Sequence, residues 1–330
     1  MYAKFYGLEA LPFQLAPDPR FFFESAEHRR AMAHLDYGLH NAEGFIVITG
    51  EVGAGKTMLV DRLLSQIDPR SFVTAKIATT NLGSDDLLRM VVSAFGLDHA
   101  GLPKAGLLNR IQEFALSHTA ARRRALLIID EAQNLSLEAL EELRMLSNIV
   151  VGTATAMQSF LLGQPQFRTI LGNPALEQLR QRITAAYHLR ALSCNDTRAY
   201  TEHRLHCAGW KGDPEFVEDG FGAIFRHTHG IPRRINTLCS RILIFGMLED
   251  SHTISAATVE EVASDLQDEI ATVTSPLTKS VLPVATQDEQ SLETIVDRLD
   301  GLDIITARHD RIIRRVLQLL AGHAQETEAD

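Results

Sequence analysis

Gly50-Glu51-Val52-Gly53-Ala54-Gly55-Lys56-Thr57 is the stretch on which the reading of this chain turns. It fits the pattern GxxxxGK[ST]. Its three glycines let the backbone curl until successive N–H groups face one point, at the positive end of the helix that follows. Lys56 is placed to reach the β- and γ-phosphates of a nucleotide, and the Thr57 hydroxyl to ligate magnesium. The flanks agree. Phe45-Ile46-Val47-Ile48-Thr49 is a short apolar, β-branched run of the kind buried on both faces of a sheet. Helical spacing begins after Gly55, so residues 50–58, ending at Met58, form the expected nucleotide-binding segment.

A second motif completes the first. Ala125-Leu126-Leu127-Ile128-Ile129-Asp130-Glu131 is another buried strand with two carboxylates at its carboxyl end. Two acids there can simply cap a strand. Paired with the glycine loop, Asp130 is expected to hold the magnesium and Glu131 to orient and activate an attacking water.

Around these motifs strands and helices alternate. Phe72 to Ile77, Ser159 to Leu162 and Ala185 to Leu189 read as further strands. Helical spacing covers about Ser25–His40, Ser84–Phe95, Lys104–Ser117 and Ser136–Ser147. Alternation of this kind predicts an α/β core with a five-stranded parallel sheet and helices on both faces. After Leu192 the strand signals stop, and residues 196–208, 214–228, 232–249 and 255–268 carry helical spacing, with start signals at Asn195, Asp213 and Ser255. This predicts an all-helical domain over 193–268. Residues 269–290, rich in Thr, Ser, Pro and Gln, read as a linker. Ser291 to about His323 carries a heptad-like pattern in which Thr306 and His309 interrupt the apolar seam. It reads equally as a coiled coil or as an amphipathic helix folded back on the protein.

At this point the chain resembles an AAA+ ATPase, with the three-layer phosphate-loop NTPase fold. Within that superfamily it is similar to the bacterial general secretion pathway protein A group, and most of all to the ATPases of exosortase and PEP-CTERM polysaccharide systems. The resemblance spans residues 1–268. It rests on FYGL…PF…PDPRFFF, GEVGAGKT, LLIIDEAQNL (Leu126 to Leu135), FLLGQPQF (Phe160 to Phe167), LEQLRQRI (Leu176 to Ile183) and GIPRRINTLCSR (Gly230 to Arg241).

The resemblance implies ATP and magnesium as ligands and further site residues. Gln164 stands where the superfamily has its sensor-1 polar residue. Arg180 or Arg182 resembles the finger that reaches a neighbouring subunit's nucleotide, and Arg233 matches the sensor-2 arginine of a helical lid. Tyr6, Phe13 and Pro17 are candidates to wrap the adenine, although aromatic clusters are as readily core. A homo-oligomer is implied, with a partner on the cytoplasmic face of an envelope or exopolysaccharide export system. The secretion members of the group add a membrane span and a wall-binding region, which are not expected here. The competing reading is a DNA-handling AAA+ regulator of the transposition or replication-initiation kind, which shares the Gly-x-Pro-Arg signature.

Composition narrows the partners. Among 330 residues, 32 are Lys or Arg and 42 Asp or Glu, a formal net charge of −10. Residues 1–192 hold 19 basic and 19 acidic side chains, so the whole surplus falls on 193–330. That makes the lid and tail poor nucleic-acid surfaces and favours protein partners. Cys194, Cys207 and Cys239 are too scattered for a disulfide framework, which points to a reducing compartment. No apolar run reaches the ~18 residues of a membrane span, so a cytoplasmic protein is expected. Remaining clusters carry less. His203, His206 and Cys207 share a helical segment without a second ligand pair. His227 and His229 read as lid surface, and Arg122-Arg123-Arg124 as a strand entrance or a patch for an anionic partner.

Overall fold

The structure, a computed structural model, describes residues 2–16, 18–41, 44–78, 83–151 and 154–274. Pro17, the expected linker beyond residue 274 and the heptad-patterned segment 291–323 lie outside the described residues.

Strands in chain order are β1 (Phe45–Gly50), β2 (Phe72–Ala78), β3 (Arg124–Asp130), β4 (Val150–Val151), β5 (Ala154–Thr155), β6 (Met157–Gly163), β7 (Ile183–Leu189), β8 (Glu215–Phe216) and β9 (Thr253–Ile254). Helices are α1 (Tyr2–Phe5), α2 (Ala26–Asn41), α3 (Lys56–Gln66), α4 (Ser84–Ala94), α5 (Lys104–Ala120), α6 (Leu137–Leu146), α7 (Gln166–Leu171), α8 (Glu177–Arg180), α9 (Cys194–Cys207), α10 (Glu218–Thr228), α11 (Pro232–Leu248) and α12 (Ala256–Thr274).

The expected five-stranded parallel sheet is present, in the order β2-β3-β6-β1-β7. Its inner strands are mostly apolar because both faces are covered, with Thr49 on β1 and Gln158 and Ser159 on β6 as buried polar positions. On β1, Phe45 and Val47 join the core under α4, α5, α6 and α7, while Ile46 and Ile48 join the core under α2 and α3. On β3, Leu127 and Ile129 face the first layer, Leu126 and Ile128 the second. Each fully buried aliphatic side chain contributes about 1.5–3 kcal/mol, so these alternating residues fix the strand register. A slip by one residue in β1 would set Gly50 where Thr49 now pairs with Gly163.

Parallel pairing puts the carboxyl ends of β1, β3 and β6 at one edge of the sheet, and with them Gly50, Asp130 and Gly163. Ligands of open α/β sheets bind at that edge.

Beyond β7, α9 to α12 pack around Leu205, Ile224, Ile235, Leu238, Ile242 and Val259. This lid is not wholly helical. Glu215 and Phe216 pair in parallel with Thr253 and Ile254, which is why α10 starts at Glu218 and not at the expected 214. The start of α9 also differs: Ser193, not Asn195, is the cap, its hydroxyl accepting from the Asp196 N–H at 3.0 Å. The last helix continues to Thr274, into the stretch read as linker. The β4–β5 hairpin was not expected either.

No helix among the described residues is long and apolar enough to cross a membrane.

Candidate functional site

The glycine loop leaves β1 at Gly50 and enters α3 at Lys56. Gly53 and Gly55 both stand in left-handed backbone, at φ 80° and 98°, a region that side chains disfavour. Gly53 is doubly constrained, because a β-carbon there would lie 2.3 Å from the Arg233 Cβ. No side chain caps α3. Its first N–H groups, at the positive end of the helix dipole, are left to the loop's interior.

Lys56 is buried and donates to the Gly50 and Glu51 carbonyls at 2.7 and 3.0 Å. Burial pulls its ammonium below the ordinary lysine value, outweighing the opposing charges of Glu131, Asp130 and Glu51. Thr57 donates its hydroxyl to Asp130 Oδ2 at 2.7 Å. The two residues expected to share a magnesium ion therefore meet across 73 positions of chain. A hydroxyl and a carboxylate oxygen are hard donors suited to that cation, so the donor set fits it.

Glu131 follows in left-handed backbone, φ 54° and ψ 41°, and opens a tight turn over Ala132–Asn134. Its Oε2 accepts from Gln133 Nε2 at 2.5 Å and from Gln164 Nε2 at 2.9 Å. Burial pushes the Glu131 carboxyl up, but these two bonds and the Lys56 charge outweigh it and hold it below the usual range. Gln164 comes directly after β6, as its assignment requires.

Between sheet and lid lies a cleft of about 350 Å³ lined by the loop, Lys56, Thr57, Met58, Glu131 and, from the lid, Tyr200, Arg204, Arg233 and Asn236. Arg233 sits in the first turn of α11, and its N–H donates to the Gly53 carbonyl at 3.2 Å. The lid thus rests on the phosphate loop itself. Val52, half exposed at 50%, also lines the cleft.

The remaining expectations divide. Tyr6 and Phe13 do not face the cleft: both are buried in the lid core, and the Tyr6 hydroxyl donates to the Ser251 carbonyl. The N-terminal segment reaches the cleft through Leu15, Ala16, Phe22 and Phe23 instead. Arg180 and Arg182 lie just before β7, at the opposite end of the parallel sheet from the loop. Arg180 donates to the carbonyls of Leu171 and Asn173, both at 2.7 Å, and Arg182 to the Ser147 carbonyl at 3.3 Å. Neither reaches its own chain's cleft. Cys207 Sγ is 3.6 Å from His203 Nε2, while His206 packs edge-on against Trp210. His227 pairs with Glu260, and His229 ends α10 in left-handed backbone. In the basic run, Arg123 donates to the Pro69 and Phe72 carbonyls, and Arg124 to Leu39 while lying over the Phe72 ring.

Among the residues that carried no expectation, His28 and Arg204 line the cleft and Gln133 contacts its Glu131. His28 is buried, its Nδ1 2.8 Å from the Ser25 hydroxyl, and its Nε2 lies 3.1 Å from where a Gly55 Cβ would stand. Burial pulls its imidazole below the ordinary histidine value. Arg204 ties the lid to the N-terminal segment, donating to the Pro12 and Gln14 carbonyls and to the Tyr200 hydroxyl. Gln133 bridges Glu131 and Gln164, its Oε1 accepting the Gln164 backbone N–H at 3.0 Å. The sequence signal for Gln133 was its place in LLIIDEAQNL, two residues after Glu131.

The sheet, loop and lid together define a protein of the phosphate-loop AAA+ fold, a nucleotide-binding architecture. Residues 39–171 match the family model described as AAA domain. The chain is 40% identical over 257 residues to General secretion pathway protein A of Aeromonas hydrophila, an alignment covering 77% of this chain and 46% of that protein. It thus spans about half the length of that relative. Among solved structures, the ORC2 protein of Aeropyrum pernix in its ADPNP-ADP complexes superposes with a TM-score of 0.59 at 17% identity, over 78% of this chain and 73% of that one. Cdc6p from Pyrobaculum aerophilum gives 0.60 at 14%, over 79% and 75%. The ORC1 protein of A. pernix in complex with DNA gives 0.59 at 14%, over 90% and 88%. At these identities the structural likeness concerns the fold alone.

Proposed function

We propose that the chain is an ATP-hydrolysing mechanical switch in a secretion-linked system. The observation that carries this is the convergence of Lys56, Thr57–Asp130 and the Glu131–Gln164 pair beneath a lid whose Arg233 touches the phosphate loop. The loop amides and Lys56 bind the phosphates. Thr57 and Asp130 hold magnesium, which when bound neutralises charge on the phosphate oxygens. Glu131 takes a proton from water as its oxygen attacks the γ-phosphorus. The bond to the bridging oxygen breaks, leaving ADP and inorganic phosphate. Gln164 orients the water, and Arg233 brings a cation from the lid to the γ-phosphate. Loss of those contacts after hydrolysis frees the lid to pivot about its Gly53–Arg233 contact.

The secretion link rests on the likeness to General secretion pathway protein A. The narrower assignment, an exosortase-associated exopolysaccharide export system served from the cytoplasmic face, rests on the motif resemblance. Arg180 or Arg182 acts in trans, in a homo-oligomer. Their distance from their own chain's cleft supports that role.

Sizing the protein with ATP and magnesium tests the switch. Wild type and Glu131→Gln should both assemble with ATP, with the variant remaining assembled after wild type has turned over. A monomer under every condition would remove the trans arginine. The DNA-handling reading shares its fold with the ORC1 structure named above. Turnover stimulated by DNA at low salt would favour it over the secretion-linked one.

A further inference from the structure

Gln133 has no part in the scheme above, yet its Nε2 lies 2.5 Å from the carboxylate that activates water. Its amide is oriented by chemistry on both sides. The Gln164 backbone N–H can only donate, so the atom 3.0 Å from it must be the carbonyl oxygen. The Glu131 carboxylate can only accept when ionised, so the atom 2.5 Å from it must be the amide nitrogen. Both constraints choose the same orientation of the side chain. The left-handed Glu131 backbone turns the chain so that residue 133 comes back beside residue 131.

Gln164 is tied to this unit twice. Its backbone is held by Gln133, and its own amide donates to the same Glu131 oxygen at 2.9 Å. The two bonds differ in what they allow. When the Gln164 side chain turns to a γ-phosphate or its water, the bond it gives Glu131 is lost. The bond from Gln133 is not, because Gln133 is anchored on the Gln164 main chain and needs nothing from its side chain.

We propose that Gln133 is a positioning residue: it holds the Glu131 carboxylate in register with the end of β6 while the Gln164 side chain is engaged by nucleotide. This rests on Glu131 being the water-activating group. Gln133 itself touches neither water nor phosphate and acts only through Glu131.

The test compares Gln133→Met, Gln133→Glu and Glu131→Gln, singly and combined, in phosphate release and in calorimetric ATP binding without turnover. Methionine keeps the length and volume of glutamine but neither bond. Glutamate keeps an acceptor for the Gln164 N–H but sets a second carboxylate against Glu131. Loss of a hydrogen bond to a charged group predicts kcat down by about 10- to 100-fold in Gln133→Met. Gln133→Glu should be at least as slow, and ATP affinity within about twofold of wild type in both, since no phosphate contact changes. In the Glu131→Gln background Gln133→Met should add nothing, because its effect passes through a carboxylate no longer there. Wild-type kcat in Gln133→Met would overturn the proposal. So would a parallel loss of ATP affinity, or a full additional loss on top of Glu131→Gln. If wild type itself released no phosphate, or if Glu131→Gln ran at the wild-type rate, the underlying assignment of Glu131 would fail and this inference with it. If Glu131→Gln is inactive and Gln133→Met normal, the inference alone fails.

Discussion

Replacing Gly53 by alanine separates the lid contact from the chemistry of the loop. Two effects act at this position. At φ 80° a β-carbon crowds its own backbone, a strain of about 1–2 kcal/mol. It would also lie 2.3 Å from the Arg233 Cβ, with Cδ and Cγ at 3.1 and 3.3 Å. Carbon atoms pack near 3.5 Å, so the start of α11 must withdraw by about 1 Å. That withdrawal stretches the 3.2 Å bond from the Arg233 N–H to the Gly53 carbonyl, a loss of about 1 kcal/mol. Together Gly53→Ala should destabilise by ~2–3 kcal/mol. Gly55→Ala is the control, with a similar φ of 98° but only the His28 ring nearby, its Nε2 at 3.1 Å and Cε1 at 3.8 Å. It should show the backbone strain without lid release. The assay is thermal unfolding without nucleotide, with limited proteolysis reporting the lid. Since the closest atom is a β-carbon, Arg233→Ala cannot relieve the clash, whereas Arg233→Gly should relieve part of it. Recovery of Gly53→Ala by Arg233→Ala, or a Gly53→Ala protein as stable and protease-resistant as wild type, would refute the reasoning.

Other outcomes follow from the same contacts. Arg204→Met removes donors to Pro12, Gln14 and Tyr200 at a site only 7% exposed, and should cost about 3 kcal/mol. Proteolysis should then begin near residues 9–16. His28 has a lowered pKa, first through burial, with Glu24, Glu27 and Asp196 opposing it. The folded protein therefore binds fewer protons than the unfolded chain below the ordinary value of 6.5. Stability should be full above that pH and fall as acid is added, and His28→Gln should flatten the fall in unfolding free energy measured against pH. Asp130→Asn leaves Thr57 an acceptor but removes the donor set's one negative charge. Magnesium dependence of ATP affinity, followed by calorimetry, should weaken by about tenfold or more.

What the sequence disclosed was set by how local each signal is. β1 and β3 were legible because cover on both faces makes Phe45–Ile48 and Ala125–Ile129 unbroken apolar runs. The glycine loop was legible because its geometry excludes most side chains. Where two residues suffice to form an element, as in β4, β5, β8 and β9, no periodicity exists to read. The cap of α9 falls two residues earlier than expected because Ser193 and Asn195 are both good cap types, and it is the Ser193 hydroxyl that accepts the Asp196 N–H. Tyr6 and Phe13 were candidates for adenine, yet the lid's own core takes them: their partners lie some 200 residues away. Arg204 and Pro12 meet across 192 positions for the same reason, and Arg204 lies in no motif. Gln133 was visible as a letter of a shared motif. Its role appears only when β6 brings Gln164 alongside.

Single-turnover hydrolysis bears most directly on the account. Radiolabelled ATP and magnesium mixed with excess wild-type protein should yield ADP and phosphate. Glu131→Gln should bind the nucleotide with similar affinity and return it intact. Equal product from both proteins, or no product from wild-type protein shown to be carrying ATP, would contradict the claim that this cleft hydrolyses nucleotide through Glu131.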